Sequence, residues 1–462
     1  MPISRRRFIR QTLTFGPVAM AFWLDRDLAA WASQCGMPVA GADCTLPNPG
    51  TPTQFVPNEP KVLTRYSARE MADPSKATQL KQLRDAFCLV RNLPKDDVIS
   101  WTKQVAQHCI HCAPSNPSNI HFDWQFLPWH RGLLYFLERI LRKLGGHDDL
   151  RLVYWDWENT ASRTLPTIYA PADQPLYWAN RNLSGPRWPL PDSKVNVQPL
   201  LAVPTFKTFG GTAVQGSPTP ASFSGPHANV HNAFSPGDMA DLQFSPRDPV
   251  FYAHHGNIDR LWSSWVAADP THTNPDFGTA KVYFYDENRK WRYVLMNHLR
   301  DETKLGYKYS SLMKTKTKLT NLRVFALKRA VNRVTFAAPA VEWIKAPGPD
   351  FLLIENIHNL EKLPATAVDF GVFHGSPAVG TQSSTAPGFL GSVSRVLSSG
   401  HDHHKDLISA SIEVTDKLGR MVQEKKGTLD LTLAPLDASG KTTAAAIPLV
   451  ADNISVASSG TL

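Results

Sequence analysis

Apolar residues recur every three or four positions early in the chain, where Leu80, Leu83, Phe87 and Val90 mark one side of a helix predicted over 76–110. A turn-rich run at 113–119 (APSNPSN) interrupts the period. It returns at His130, which opens a helix striped by Leu133, Leu134, Leu137, Ile140 and Leu141 and closed by Gly145-Gly146. Residues 160–226 are dense in Pro, Gly and Asn and predict loops and short turns. His227 and His231 stand four apart, on one helical face, and Pro249 starts a further helix through Trp265. Beyond about residue 310 the period shortens. Phe351–Ile354, Ala367–Phe373, Ser409–Val414 and Thr428–Leu433 are short segments separated by Pro, Gly and Ser clusters, as antiparallel strands are. The pattern predicts an α+β multidomain chain: a mainly α-helical bundle with long loops, then a C-terminal antiparallel β-sandwich or barrel.

Composition adds boundaries to this picture. Ser4-Arg5-Arg6-Arg7-Phe8-Ile9-Arg10 followed by an apolar run through Leu24 reads as a twin-arginine signal over 1–32, with Ala30-Trp31-Ala32 as the cleavage site. This reading implies the twin-arginine translocase as a partner and a periplasmic or secreted protein. The helical unit is expected over 33–312, a basic linker over 313–340 and the strand-rich unit over 341–462. The formal net charge of +9 is concentrated in the leader and in 287–333, where thirteen Lys or Arg face three acids. The remainder is close to neutral, which argues against a nucleic-acid partner.

Six of the sixteen histidines lie in two blocks, His108, His121 and His130, then His227, His231 and His255. Three imidazoles per block, with no carboxylate set and no competing thiolate set, suit two metal ions that accept nitrogen donors. A structural zinc site more often includes cysteine and occurs singly. An exported chain permits disulfides, yet the five cysteines are an odd number.

At these residues the sequence resembles the type-3 copper proteins, specifically the plant-type polyphenol oxidases (catechol oxidase and tyrosinase). The likeness rests on His108-Cys109-x-x-Cys112, on His121 nine residues before His130, on Pro128-Trp129-His130-Arg131, on His227-x-x-x-His231, and on Arg247-Asp248-Pro249 leading to His254-His255. It continues through Tyr283–Asn288 into the strand-rich tail. It implies two copper ions with O2 as co-substrate: His108, His121 and His130 would hold CuA, and His227, His231 and His255 would hold CuB. Spacing does not choose between His254 and His255, since adjacent helical residues point about 100° apart; the family pattern places the ligand second. Cys112 takes the position of a thioether to His121, with a disulfide to Cys88 as the alternative. Cys109 matches the cysteine bridged to the N-terminal arm, with Cys44 its partner, while the pairing of Cys35 and Cys88 stays open. Asp259 is expected to orient a ligand imidazole, or to pair with Arg260 on the helix surface. His111 is expected to be a bystander.

The resemblance implies an enzyme oxidising small phenolic and catecholic substrates to o-quinones, latent until the C-terminal domain is displaced, with an activating protease cutting within Lys314–Arg333. An o-aminophenol oxidase or a haemocyanin-like oxygen carrier is the alternative reading. Family members that hydroxylate monophenols efficiently carry an upstream glutamate and an Asn after the first CuB histidine. Here Phe223 and Ala228 stand at those places, and no acid occurs from Ser193 to Gly237. Asn232 follows the second CuB histidine without an acidic neighbour, and Leu242 replaces the bulky Phe over CuB. Catechols are therefore expected ahead of monophenols. His401–His404 is expected to be a solvated loop.

Overall fold

The computed structural model describes residues 44–458, except positions 48–49, 113–118, 215–217, 316–322, 327, 331–332, 336–348, 398–406, 416, 418–420 and 422–427. The twin-arginine segment, Cys35 and the 401–404 histidines lie outside the described residues.

Five helices frame the first unit: α1 (Ala77–Arg91), α2 (Trp101–Cys112), α3 (Phe126–Gly145), α4 (Pro226–Ala233) and α5 (Val250–Ala268). The single helix expected over 76–110 is two, because Pro94 stands in the intervening segment and neither donates an N–H nor tolerates a preceding helical turn. Every residue of α2 from Trp101 to Cys109 is buried, so that helix has no polar face for a period to reveal. Helix α3 opens at Phe126, one turn ahead of His130, and ends where Gly146 takes the left-handed conformation (φ 69°). Arg142 and Lys143 in its last turn complement the helix dipole. It packs on α1 and α5.

Short strands brace the bundle. β1 (Thr53–Gln54) and β2 (Leu63–Arg65) are followed late in the unit by β3 (Lys281–Tyr285), β4 (Trp291–Leu295) and β5 (Tyr307–Tyr309). β1 lies parallel to β4, β2 parallel to β5, and β3 pairs antiparallel with β4. β3 presses on α3 at Gly132, where an added Cβ would meet the Phe284 ring at 2.6 Å.

The second unit comprises β6 (Arg323–Ala326), β7 (Lys328–Ala330), β8 (Arg333–Thr335), β9 (Asp350–Ile357), β10 (Asp369–His374), β11 (Phe389–Ser394), β12 (Ile408–Glu413), β13 (Thr428–Leu436), β14 (Ile447–Pro448) and β15 (Ala451–Ser458). One sheet runs β11-β10-β13-β8-β7 with β14 on β13; the other runs β12-β9-β15-β6. Leu352, Ile354 and Val456 from one sheet and Phe370, Val372 and Leu433 from the other share one apolar core. This is an open sandwich, so the barrel option does not hold.

Strands β6 to β8 correct the expected linker. They fall inside 313–340 yet belong to the sandwich, β6 on β15 and β8 on β13. β6 and β7 are the end strands of their sheets, where lysine and arginine commonly guard an open edge. Their basic character was the reason to expect a linker. β6 thus begins at Arg323, inside the stretch expected to be linker.

The two units are packed together. Phe351, Leu353, Val396 and Ala457 of the sandwich join the apolar cluster of the bundle. Arg187 and Lys194 pair with Asp369 at 2.8 and 2.9 Å, and Thr208 donates to Glu355 at 2.6 Å. Among the described residues, no helix is long and apolar enough to cross a membrane.

Candidate metal centre

All six histidines singled out in the sequence converge in the middle of the bundle, and each is at most 2% exposed. Helix α2 carries His108, the loop before α3 carries His121, α3 carries His130, α4 carries His227 and His231, and α5 carries His255. Ring centroids of His108, His121 and His130 lie 5.0 to 5.4 Å apart. Those of His227, His231 and His255 lie 4.7 to 5.7 Å apart. The two triads meet where His130 and His255 stack at 4.2 Å, nearly parallel.

Hydrogen bonds fix which nitrogen of each ring faces the centre. The Nδ1–H groups of His130, His227 and His231 donate to the carbonyls of Phe126, Phe223 and Met239 at 2.6 to 2.7 Å. His121 Nδ1 donates to Asn119 Oδ1 at 2.8 Å. Neutral imidazoles so tethered carry their lone pairs on Nε2, and those of His130, His227 and His231 are buried without a protein partner. His121 Nε2 and His108 Nε2 point at each other across 3.2 Å. Burial, reinforced by neighbouring imidazoles, pushes the pKa of His108, His121, His227 and His255 well below the usual histidine value. Burial likewise lowers His130 to about 3 and His231 to about 4. The rings are neutral near pH 7, as metal donors must be.

Donor atoms of His227, His231, His254 and His255 all lie within 4.8 Å of one another, as do those of His108, Cys112 and His121. His254 differs from its neighbour. The Trp157 indole N–H, a donor only, meets His254 Nδ1 at 3.1 Å, so that nitrogen holds the lone pair and the proton sits on Nε2. Both His255 nitrogens lack a partner among the described residues. An all-imidazole set of neutral rings with lone pairs turned inward fits copper.

Cys112 is the described cysteine outside a disulfide, with Sγ 3.5 Å from His108 Nδ1 and 3.7 Å from His121 Nδ1. Cys44 bonds Cys109, and Cys88 is also disulfide-bonded, which excludes the Cys112–Cys88 alternative. His111 turns to Trp129, ring centroids 5.3 Å apart.

Asp259 does not orient an imidazole. It receives Arg131 Nε and the hydroxyls of Tyr307 and Tyr309, with Arg65 at 3.6 Å. Nor does it pair with Arg260, which reaches Glu158 instead at 2.6 Å. Its partners come instead from β5, whose Tyr307 and Tyr309 lie 48 and 50 residues away.

Aromatic rings wall the centre. Phe223 lies 5.5 Å from His121 and 5.2 Å from His227, Phe251 lies 4.2 Å from His255, and Phe126 lies 5.0 Å from His130. Ala228 is fully buried. Asn232 Nδ2 donates to the Arg395 carbonyl at 2.9 Å and the Leu242 N–H to the Leu397 carbonyl at 3.0 Å, so both meet the C-terminal unit. Sequence reasoning missed Asn119, Trp157 and Arg395–Leu397. Of these only Asn119, two residues before His121, left a local trace, as an Asn able to cap its neighbour.

The common central domain of tyrosinase matches residues 98–198 and 178–268, a span that includes all six histidines. The latent form of a chloroplastic polyphenol oxidase from Prunus armeniaca is 27% identical, aligned over 94% of this chain and 85% of that protein. A chloroplastic polyphenol oxidase from Vitis vinifera is 29% identical over 58% of this chain, which spans about half (49%) of that relative's length. The structure of latent apple tyrosinase superposes with a TM-score of 0.66 at 24% identity, covering 88% of this chain and all of the other, and so supports the two-unit fold. With the tyrosinase domain enclosing both histidine triads, the chain belongs to the type-3 copper polyphenol oxidase family and is a copper-dependent oxidase.

Proposed function

We propose that the protein oxidises o-diphenols to o-quinones with O2, using two copper ions held by His108, His121 and His130 and by His227, His231 and His255. The observation that carries this reading is the pair of buried, neutral imidazole triads that meet where His130 and His255 stack, with His121, His130, His227 and His231 each held through Nδ1. His255 is the sixth ligand rather than His254, whose Nδ1 is taken by the Trp157 indole N–H and whose proton sits on Nε2. Copper, when bound, supplies the electron transfer between catechol and O2. Two catechols give up four electrons and four protons, and one O2 becomes two waters. The protein holds His130, His227 and His231 in one tautomer through backbone carbonyls and His121 through Asn119, and excludes water with Phe126, Phe223 and Phe251.

A monophenol must lose a proton before it can bind a metal, and Phe223 and Ala228 offer no base at the positions flanking His227. Catechol turnover therefore exceeds monophenol hydroxylation. Leu242 shields CuB while leaving more room than phenylalanine. A Cys112–His121 thioether suits the 3.7 Å approach. Residues 394–397 lie against Asn232 and Leu242, which supports a latent state held by the C-terminal unit, with an activating protease acting at 314–322. The leader implies twin-arginine export to the periplasm or beyond.

Oxygen uptake by the copper-loaded protein on catechol and on tyramine, before and after cleavage at 314–322, tests the proposal. Catechol consumption that rises on cleavage, with tyramine slower and lagging, is the expected result. Reversible O2 binding without loss of catechol would make the protein a carrier instead.

A further inference from the structure

The C-terminal unit touches the proposed substrate side of the centre through main-chain atoms. Arg395 and Leu397 are alternate residues, and their carbonyls accept from Asn232 Nδ2 at 2.9 Å and from the Leu242 N–H at 3.0 Å. Asp241 and Leu397 form a parallel β-bridge, so Arg395–Leu397 adds as a short strand to the 238–242 turn. That turn also holds the Met239 carbonyl that fixes His231. Between the two accepting carbonyls, Val396 is 2% exposed and packs in the apolar cluster that includes Leu242 and Phe251. Arg395 itself points back into its own unit, where Ala365 and Ala367 carbonyls receive its guanidinium.

Asn232 is 2% exposed, so its amide and the Leu242 N–H lose their partners when this segment leaves. Water replaces the two carbonyls there, and a small catechol whose hydroxyls face the metals brings no acceptor for either donor. An extended peptide brings two, at the spacing seen here.

We propose that this edge is a peptide-binding groove and that the enzyme's preferred phenols are dopa, and more slowly tyrosine, side chains within an extended polypeptide, seated with the aromatic residue in the place of Val396. The reaction is the one proposed above: two peptidyl dopa residues become two dopaquinones as one O2 becomes two waters. The groove deepens that reading and rests on it for the chemistry.

The full-length, copper-loaded chain is assayed for kcat/KM on Ac-Ser-Arg-dopa-Leu-Ser-NH2 and on N-acetyl-dopa amide. The ratio is insensitive to how many molecules are open at any moment. A preference of tenfold or more for the peptide is expected, abolished when an alkene isostere replaces the Arg–dopa amide and reduced by Asn232→Ala. The copper-free full-length Val396→Asp variant, which expels its own segment, should bind fluorescein-labelled Ser-Arg-Val-Leu-Ser saturably, as read by anisotropy. A ratio near one, or an isostere as good as the peptide, would overturn the proposal. If catechol itself is inert, the oxidase reading fails and anisotropy alone decides the groove: saturable binding supports it and none overturns it.

Discussion

An indole N–H has no lone pair, so its contact with His254 Nδ1 separates two adjacent histidines that spacing leaves equivalent. On the proposed assignment, His255→Asn binds one equivalent of copper, whereas His254→Asn binds two with roughly tenfold weaker affinity, as loss of an outer-shell partner does. Metal analysis after dialysis distinguishes them; one equivalent in His254→Asn with two in His255→Asn would return the choice to His254. Trp157 lies 97 residues from His254, so no local pattern could have supplied it. The partners of Asp259 were hidden for the same reason, at 48, 50 and 128 residues' separation. Its buried carboxylate holds Arg131 and takes both tyrosine hydroxyls, and removing one member of a buried ion pair costs about 3–5 kcal/mol. Asp259→Asn should lower the stability of the folded protein by about that amount in denaturant titration, while the fraction that folds keeps two coppers. A copper deficit at unchanged stability would mean that Asp259 acts on a ligand after all.

The stripe of α3 could be read from its period, and β9, β10, β12 and β13 from the Pro, Gly and Ser clusters between them, although β9 is buried along its whole length. α2 is buried from Trp101 to Cys109 and has no exposed face there to mark a period, and β6 and β7 are basic edges. The junction between β10 and the loop before α4 could not be read at all, because its charges lie some 180 residues apart in sequence. Burial alone would raise the Asp369 pKa, but Lys194, Arg187 and the Ser394 hydroxyl outweigh it and hold the carboxyl at about 2. A pKa depressed below the free value of 3.8 contributes stability above about pH 4, and that contribution fades as pH falls toward 2. Its size is on the order of 2 kcal/mol. Proteolysis of the C-terminal unit in the intact protein should therefore quicken between pH 4 and 2. Asp369→Asn should show the quicker rate already at pH 7, together with several-fold higher catechol turnover. Identical rates for variant and wild type at pH 7 would remove Asp369 from the docking of the two units.

At the scale of the molecule, the Cys44–Cys109 disulfide closes a loop of 65 residues and ends one residue past His108. Constraining a loop of that length stabilises a fold by about 4 kcal/mol through the unfolded chain. Cys44→Ser with Cys109→Ser should lose about that much, and copper should dissociate faster from the site containing His108 than from its partner. Equal release from both sites would show that the bridge acts on the fold alone. The Arg131–Asp259 clamp has a consequence of another kind. Arg131 follows His130 on α3, Asp259 lies one turn past His255 on α5, and those two rings are the ones that stack between the triads. The clamp therefore sets how far apart the two halves of the centre stand. Anyone transplanting the six histidines onto a foreign helical scaffold would move the ligands but leave their ruler behind. Arg131, Asp259 and the two β5 tyrosines would have to travel with them.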